Sequence, residues 1–181
     1  MLRTTLDKAW IKRPIKPLYS WTAATPKACF LDPNVAISVP VFPGMVFQRT
    51  SGENYTLIKD AAARPEGFGA LYVGGDGIDE VAESGINAFA VWALDPDAEF
   101  EIGAEALDTE VTWTGKDTAT SGADTLLHAW VAGDGQGKIV PVGSTKSDHT
   151  ISTYPVARLL KINTGNGAIT SIIVGGLRGT V

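Results

Sequence analysis

From Gly44 onward the chain is a succession of short apolar runs, each about 5–8 residues long and closed by Gly, Asp, Asn or Ser clusters. The runs are Met45–Thr50, Tyr55–Asp60, Phe68–Val73, Ala88–Leu94, Glu99–Ile102, Val111–Thr114, Thr125–Val131, Lys138–Val142, Val156–Ile162 and Ala168–Val174. Runs of that length between turn residues suit strands and are too short for helices, so the spacing predicts an all-β sandwich or barrel. Two runs alternate as half-wet strands should. Phe100 and Ile102 alternate with Glu99 and Glu101, and Val111 and Trp113 alternate with Thr112 and Thr114. Ala88–Leu94 is apolar on both faces and reads as a central strand. The helical candidate is Ile78–Ser84, where Ile78, Val81 and Ala82 share a face between Asp76 as N-cap and Gly85 as stop. It would be a short lid on the β body.

The first 43 residues differ in kind. Six of the ten prolines lie there, at 14, 17, 26, 33, 40 and 43. Each fixes φ, removes a backbone donor and biases its predecessor toward extended conformations, so a long helix is excluded. Between them stand Trp10, Ile11, Ile15, Leu18, Tyr19, Trp21 and Phe30, more aromatic and apolar than a solvated linker. Charge divides at nearly the same place. Residues 1–35 carry six basic and two acidic residues, a net +4, and residues 36–181 carry nine basic and 18 acidic, a net −9, within a total of −5. The expected organisation is therefore an extended, basic, aromatic-rich N-terminal arm over 1–43 and a β-rich body over 44–181. Aromatic burial alone does not offset the entropy of ordering such an arm, so backbone pairing to a sheet edge and further apolar contacts are expected to help hold it. The arm either docks on a partner or wraps back on its own body.

Composition excludes several functions. Apolar residues are 44% and charged residues 19% of the chain, enough to build a core and too little charge for a disordered polymer. No apolar run approaches about 18 residues, and Met1–Trp10 lacks the apolar centre of a secretory signal, so neither a membrane span nor export is expected. The single cysteine, Cys29, excludes an intramolecular disulfide framework and a multi-cysteine zinc site. An acidic body argues against general phosphate-backbone binding and leaves nucleic acid to the arm alone, where it would show as a steep salt dependence.

Chemical constellations are thin. His128 and His149 have no metal-ligand spacing, and His128 shares a strand face with Leu126 and Trp130, as a satisfied core or interface histidine would. Asp95, Asp97, Glu99 and Glu101 cluster in sequence, as a carbohydrate-active β-domain would require. Asp95-Pro96-Asp97 is nevertheless a turn, and the two glutamates take the outward positions of a strand. Ser144-Thr145-Lys146-Ser147-Asp148-His149 places hydroxyls beside a histidine without a nucleophile-elbow pattern, and reads as a polar loop. Tyr72-Val73-Gly74-Gly75-Asp76-Gly77 is echoed by Trp130-Val131-Ala132-Gly133-Asp134-Gly135, a similarity that turn chemistry explains. No catalytic residue, cofactor or metal is expected.

The order of features resembles the capsid decoration, or cement, proteins of tailed bacteriophages. The likeness rests on Gly44-Met45-Val46, Gly67-Phe68-Gly69-Ala70-Leu71, the run Val91-Trp92-Ala93-Leu94-Asp95-Pro96-Asp97-Ala98-Glu99-Phe100-Glu101-Ile102, and Tyr154-Pro155-Val156-Ala157-Arg158-Leu159-Leu160 before a closing apolar strand. The resemblance implies a β-tulip-like body and a non-enzymatic virion protein, made in the host cytoplasm. On the outer capsid surface it would clip adjacent major capsid protein subunits and stabilise the expanded, DNA-filled head, often as a trimer. It further implies that the arm contacts the capsid, and the basic and aromatic residues placed to do so are Arg3, Lys8, Trp10, Lys12, Arg13, Lys16, Tyr19 and Trp21. A tail, baseplate or other capsid subunit would share these features, and binding to empty capsids separates the two.

Overall fold

The computed structural model describes residues 15–18, 26–35, 37–70, 88–93, 98–116 and 125–177. Eleven strands are present among them: β1 Lys16–Pro17, β2 Pro26–Leu31, β3 Val46–Ser51, β4 Asn54–Leu57, β5 Gly67–Gly69, β6 Ala88–Ala93, β7 Glu99–Gly103, β8 Thr125–Ala129, β9 Ile139–Pro141, β10 Ala157–Gly165 and β11 Ala168–Gly175. A single 3₁₀ turn, Ala104–Ala106, is the helical segment of the described residues, and none of their helices is long and apolar enough to cross a membrane. The expected helix over Ile78–Ser84 lies outside the described residues. The chain is mainly β, as its run lengths predict.

The strands form two units. Strands β2, β4, β3, β5 and β6 close a barrel in that order, with β2 parallel to β4 and antiparallel to β6. The second unit is a six-stranded sheet in the order β1-β7-β11-β10-β8-β9. Closure removes the free edges that a five-stranded open sheet would expose. Strand β6 is paired on both sides, by β2 and β5, as its two-sided apolar sequence leads one to expect.

One core joins the units. Phe47, Leu57, Phe68 and Val91 from the barrel meet Phe100, Ile102, Leu127, Leu159, Ile172 and Val174 from the sheet in a single buried cluster. Phe100 is the hinge of that contact: its ring stands edge-on to Phe68 at 5.8 Å and tilted against Trp92 at 5.8 Å. The alternation read over Glu99–Ile102 holds, since Phe100 and Ile102 are buried and Glu99 and Glu101 are half-exposed on the other face. Packing is tight enough to fix small residues. A Cβ at Gly67 would lie 2.2 Å from the Trp92 carbonyl oxygen across the β5–β6 pair. Gly67→Ala is accordingly expected to cost at least the ~1–3 kcal/mol of an overpacked core position, read as a lower urea midpoint.

One expectation needs revision. Val111–Thr114 is not a strand: Trp113 is buried, yet it is held by its own indole, whose Nε1 donates to the Asp108 carbonyl oxygen at 2.8 Å. Its alternation is that of a loop pinned at one residue. Part of the segment 1–43 lies among the described residues. Pro26–Leu31 is a barrel strand with Cys29 and Leu31 in the core, and Ile15 is buried in the same core. Segment 1–43 thus contributes one strand to each unit.

At the far end, β10 and β11 form a hairpin about a two-residue loop. Its central residues Asn166 and Gly167 have φ of 52° and 78°, the positive values that a type I′ turn requires. Residues 164–168 at the tip are exposed, so the hairpin projects from the sheet.

Candidate functional site

Of the arm residues expected to make contacts, Arg3, Lys8, Trp10, Lys12, Arg13, Tyr19 and Trp21 lie outside the described residues. Lys16 lies within them, exposed on β1 opposite Glu101. Here the segment is anchored to its own body: Ile15 is 5% exposed and the Leu18 amide donates to the Glu99 carbonyl oxygen at 2.9 Å. Strand β1 is the outer strand of the sheet, and Lys16 and Pro17 are residues that discourage unwanted edge pairing, one by charge and one by lacking an N–H. Residues Ile15–Leu18 are therefore fixed at a sheet edge.

Barrel strand β2 presents a second feature. Phe30 is 51% exposed, the most exposed large apolar side chain of the described residues, ahead of Val142 and Tyr154. Its neighbours Cys29 and Leu31 point inward, so strand alternation dictates the outward ring. Lys27, three residues before Phe30, bonds the Tyr55 hydroxyl at 3.1 Å and approaches Glu53 at 3.4 Å. Burial pushes the Cys29 thiol up to about 11, which keeps it protonated and chemically inert.

Of the carboxylates considered for hydrolysis, Glu99 and Glu101 lie among the described residues, on the half-exposed face of β7. Glu101 accepts the Ser171 hydroxyl at 2.7 Å, and Ser171 is in turn bonded by the Asn163 amide at 3.0 Å, an arrangement that orders the outer sheet face. Asp95 and Asp97 lie outside the described residues. His128 is buried with Nδ1 2.7 Å from the Ser152 carbonyl oxygen, and burial lowers its proton affinity. It is a satisfied histidine, as its strand position indicates.

The densest polar cluster surrounds Asp108, a residue that no sequence pattern singles out. Asp108 is 3% exposed; its carboxylate accepts Trp130 Nε1 at 2.9 Å, the Glu110 amide at 3.0 Å and Lys146 Nζ at 3.3 Å. Two tryptophans thus converge on one residue, one on its carboxylate and one on its carbonyl. Lys146 also approaches Glu110 at 2.9 Å and Asp134 at 3.7 Å, and the Glu110 bond foremost raises its proton affinity. Burial opposes ionisation of Asp108, but the bonds from Trp130, the Glu110 amide and Lys146 outweigh it and hold the carboxyl below its ordinary range. The polar loop after Val142 is thereby clamped to the sheet.

That balance sets an acid limb. A carboxyl depressed in the folded state contributes stability above the unfolded value and loses it as pH falls through the folded value. Urea midpoints should drop with acidification below about pH 5, and in Asp108→Asn this limb should be shallower because one depressed carboxyl is gone. Equal limbs in both proteins would contradict the assignment.

The described residues also enclose an open groove of about 680 Å³ between the hairpin tip and the 3₁₀ turn, lined by Phe42, Glu105, Leu107, Lys138, Ala168 and Ile169. No set of three or more His, Cys, Asp or Glu among the described residues could hold a metal ion. Among the described residues the surface features are an outward aromatic ring at Phe30 and a projecting hairpin on the β core.

These are attributes of a β-rich structural protein. The chain matches the family model described as phage cement protein over residues 1–172, and it belongs to that family. The match includes the basic aromatic segment as well as the β body. It gives the chain a capsid-stabilising structural role in the virion, in a family that is not one of enzymes. No curated protein and no solved structure matches the chain.

Proposed function

We propose that the protein binds the outer surface of the expanded phage head and cements adjacent major capsid protein subunits, with its arm and body engaging different subunits. The observation that carries this reading is the family match over 1–172, which takes in the whole segment 1–43. The tether at Ile15–Leu18 supports it. A segment leaving a fixed sheet edge reaches a second subunit at high effective concentration once the body has bound the first. Arg3, Lys8, Trp10, Lys12, Arg13, Lys16, Tyr19 and Trp21 supply the arm contacts, cations for acidic capsid surface and aromatics for its pockets. Phe30 adds an apolar contact from the barrel wall. A homotrimer on the capsid lattice would present three arms to surrounding subunits, a further gain in avidity.

Co-sedimentation with expanded capsids tests the reading. The full chain should pellet with capsids, and a chain lacking residues 1–14 should lose most of its occupancy while its circular dichroism is unchanged. Equal occupancy with and without those residues would overturn the role of the arm. Phe30→Ala should weaken binding by about 1–2 kcal/mol, as a partly buried interface aromatic does, without lowering the urea midpoint.

A further inference from the structure

We infer that the loop at 143–149 is closed by a proton-dependent latch, in which a doubly protonated His149 ties Ser147 to Asp134 and releases Asp134 when the ring becomes neutral. The His149 side chain is 6% exposed, and both of its nitrogens face oxygen. Nδ1 lies 2.7 Å from the Ser147 carbonyl oxygen and Nε2 lies 2.8 Å from Asp134 Oδ1. Neither a carbonyl nor an ionised carboxylate carries a proton, so both bonds are made only when each ring nitrogen bears one. The His149 bond, with the charge of Lys146, holds the Asp134 carboxyl below its ordinary range, which keeps it an acceptor.

The same Nε2 has a second partner. The Gly135 amide points at it from 3.3 Å and can donate only to a lone pair, which the nitrogen has only in the neutral ring. In the neutral ring the proton stays on Nδ1, where it bonds the Ser147 carbonyl, so Nε2 is offered Asp134 when protonated and the Gly135 amide when not, a two-state element that a proton biases.

The ring stays seated in both states. A Cβ at Gly133 would lie 2.7 Å from ring atoms Cε1 and Nε2, and one at Gly135 would lie 2.8 Å from Trp130 Cδ1 and 3.2 Å from Nε2. The Gly133-Asp134-Gly135 turn therefore serves as a seat that side chains would fill, and Trp130 closes it with its ring centroid 5.2 Å away at 68°. The charged groups around the latch are Asp134 on the turn, Lys146 on the loop, Asp108 and Glu110 behind Lys146, and Lys138, whose charge also reaches Asp134. When the ring is neutral, Lys146 at 3.7 Å and the charge of Lys138 still act on Asp134. Opening stays local. Thr150 accepts the Val131 amide, Ile151 bridges Trp130 and the Ser152 hydroxyl accepts the Ala129 amide, so the chain beyond His149 remains laced to the sheet.

Nuclear magnetic resonance of the full chain tests this. Imidazole nitrogen signals of His149 and amide exchange, expressed as protection factors, would be followed together over a pH series that protonates and deprotonates the ring. As Nε2 loses its proton, protection of residues 144–149 should fall roughly three- to fivefold, the scale of a partly exposed ion pair, while the Gly135 amide proton moves downfield. In Asp134→Ala the Gly135 shift should persist and the loop step should vanish. Loop protection unchanged across the wild-type ring's titration, or the same step in Asp134→Ala, would overturn the latch.

Discussion

Removal of residues 1–31 is expected to unfold the protein, whereas removal of residues 1–14 is expected to leave it folded. The difference lies in what the two cuts take from the body. The longer one deletes β2, which pairs with β6 from Pro26 to Phe30 and with β4 at Phe30 and Leu31. The barrel then opens along two edges, and each backbone hydrogen bond lost costs about 1 kcal/mol net, with more for any group left buried and unpaired. Leu31, 1% exposed, takes a further ~1.5–3 kcal/mol of burial with it, and Cys29 and Ile15 leave the same core. The total is comparable to the ~5–15 kcal/mol that holds a domain together. The shorter cut ends before Ile15 and spares β1, β2 and every core side chain described. Far-ultraviolet circular dichroism and a urea transition on the two truncations measure the contrast. A cooperative transition in the longer truncation would show that the barrel does not depend on β2.

The second large effect is expected at Phe100. Its ring is 2% exposed and touches Phe68 and Trp92, so it stands where the barrel meets the sheet. Truncation to alanine removes a buried aromatic at a site walled on both sides by strands, which restricts collapse into the cavity. Phe100→Ala should cost ~3–5 kcal/mol, a drop of roughly 6–20 °C in Tm for a chain of this length. Phe30→Ala is the natural comparison. The same residue type on the outward face of β2 should change stability by no more than ~0.5 kcal/mol. Similar losses at the two positions would mean that barrel and sheet are not joined through Phe100.

Much of the body was legible because strands announce themselves by alternation and by what stops them. Glu99–Ile102 is the clearest case, where Phe100 and Ile102 could face only a core and the glutamates only water. The runs Val156–Ile162 and Ala168–Val174 were likewise legible as strands, and the structure joins them through Asn166 and Gly167 at positive φ. Val111–Thr114 shows the limit of the method. Its alternation is real, but the Trp113 indole finds its acceptor five residues back, and a tied loop and a strand then read alike. β2 was hidden by Pro26 and by the surrounding prolines, which mark extended chain without saying what it pairs with. Closing a barrel is a long-range event, and nothing near Cys29 encodes that Ala88–Ala93 will lie beside it.

The polar cluster was illegible for the same reason. Asp108, Trp130, Lys146 and His149 are spread over some forty positions, and each alone is an ordinary turn or strand residue. Only the fold brings the two indoles to one aspartate. The Gly-Asp-Gly turn was visible as a turn, whereas its use as a seat for His149 depends on where the loop after β9 folds back.

Heads expanded without the protein give the most direct test of the cementing role. They would be mixed with increasing amounts of it, and the temperature at which packaged DNA escapes would be read with an intercalating dye. The account predicts saturable binding and an escape temperature that rises with occupancy, with both effects lost when residues 1–14 are removed. Heads that stay bare, or that bind the protein and release their DNA at the same temperature as before, would contradict it.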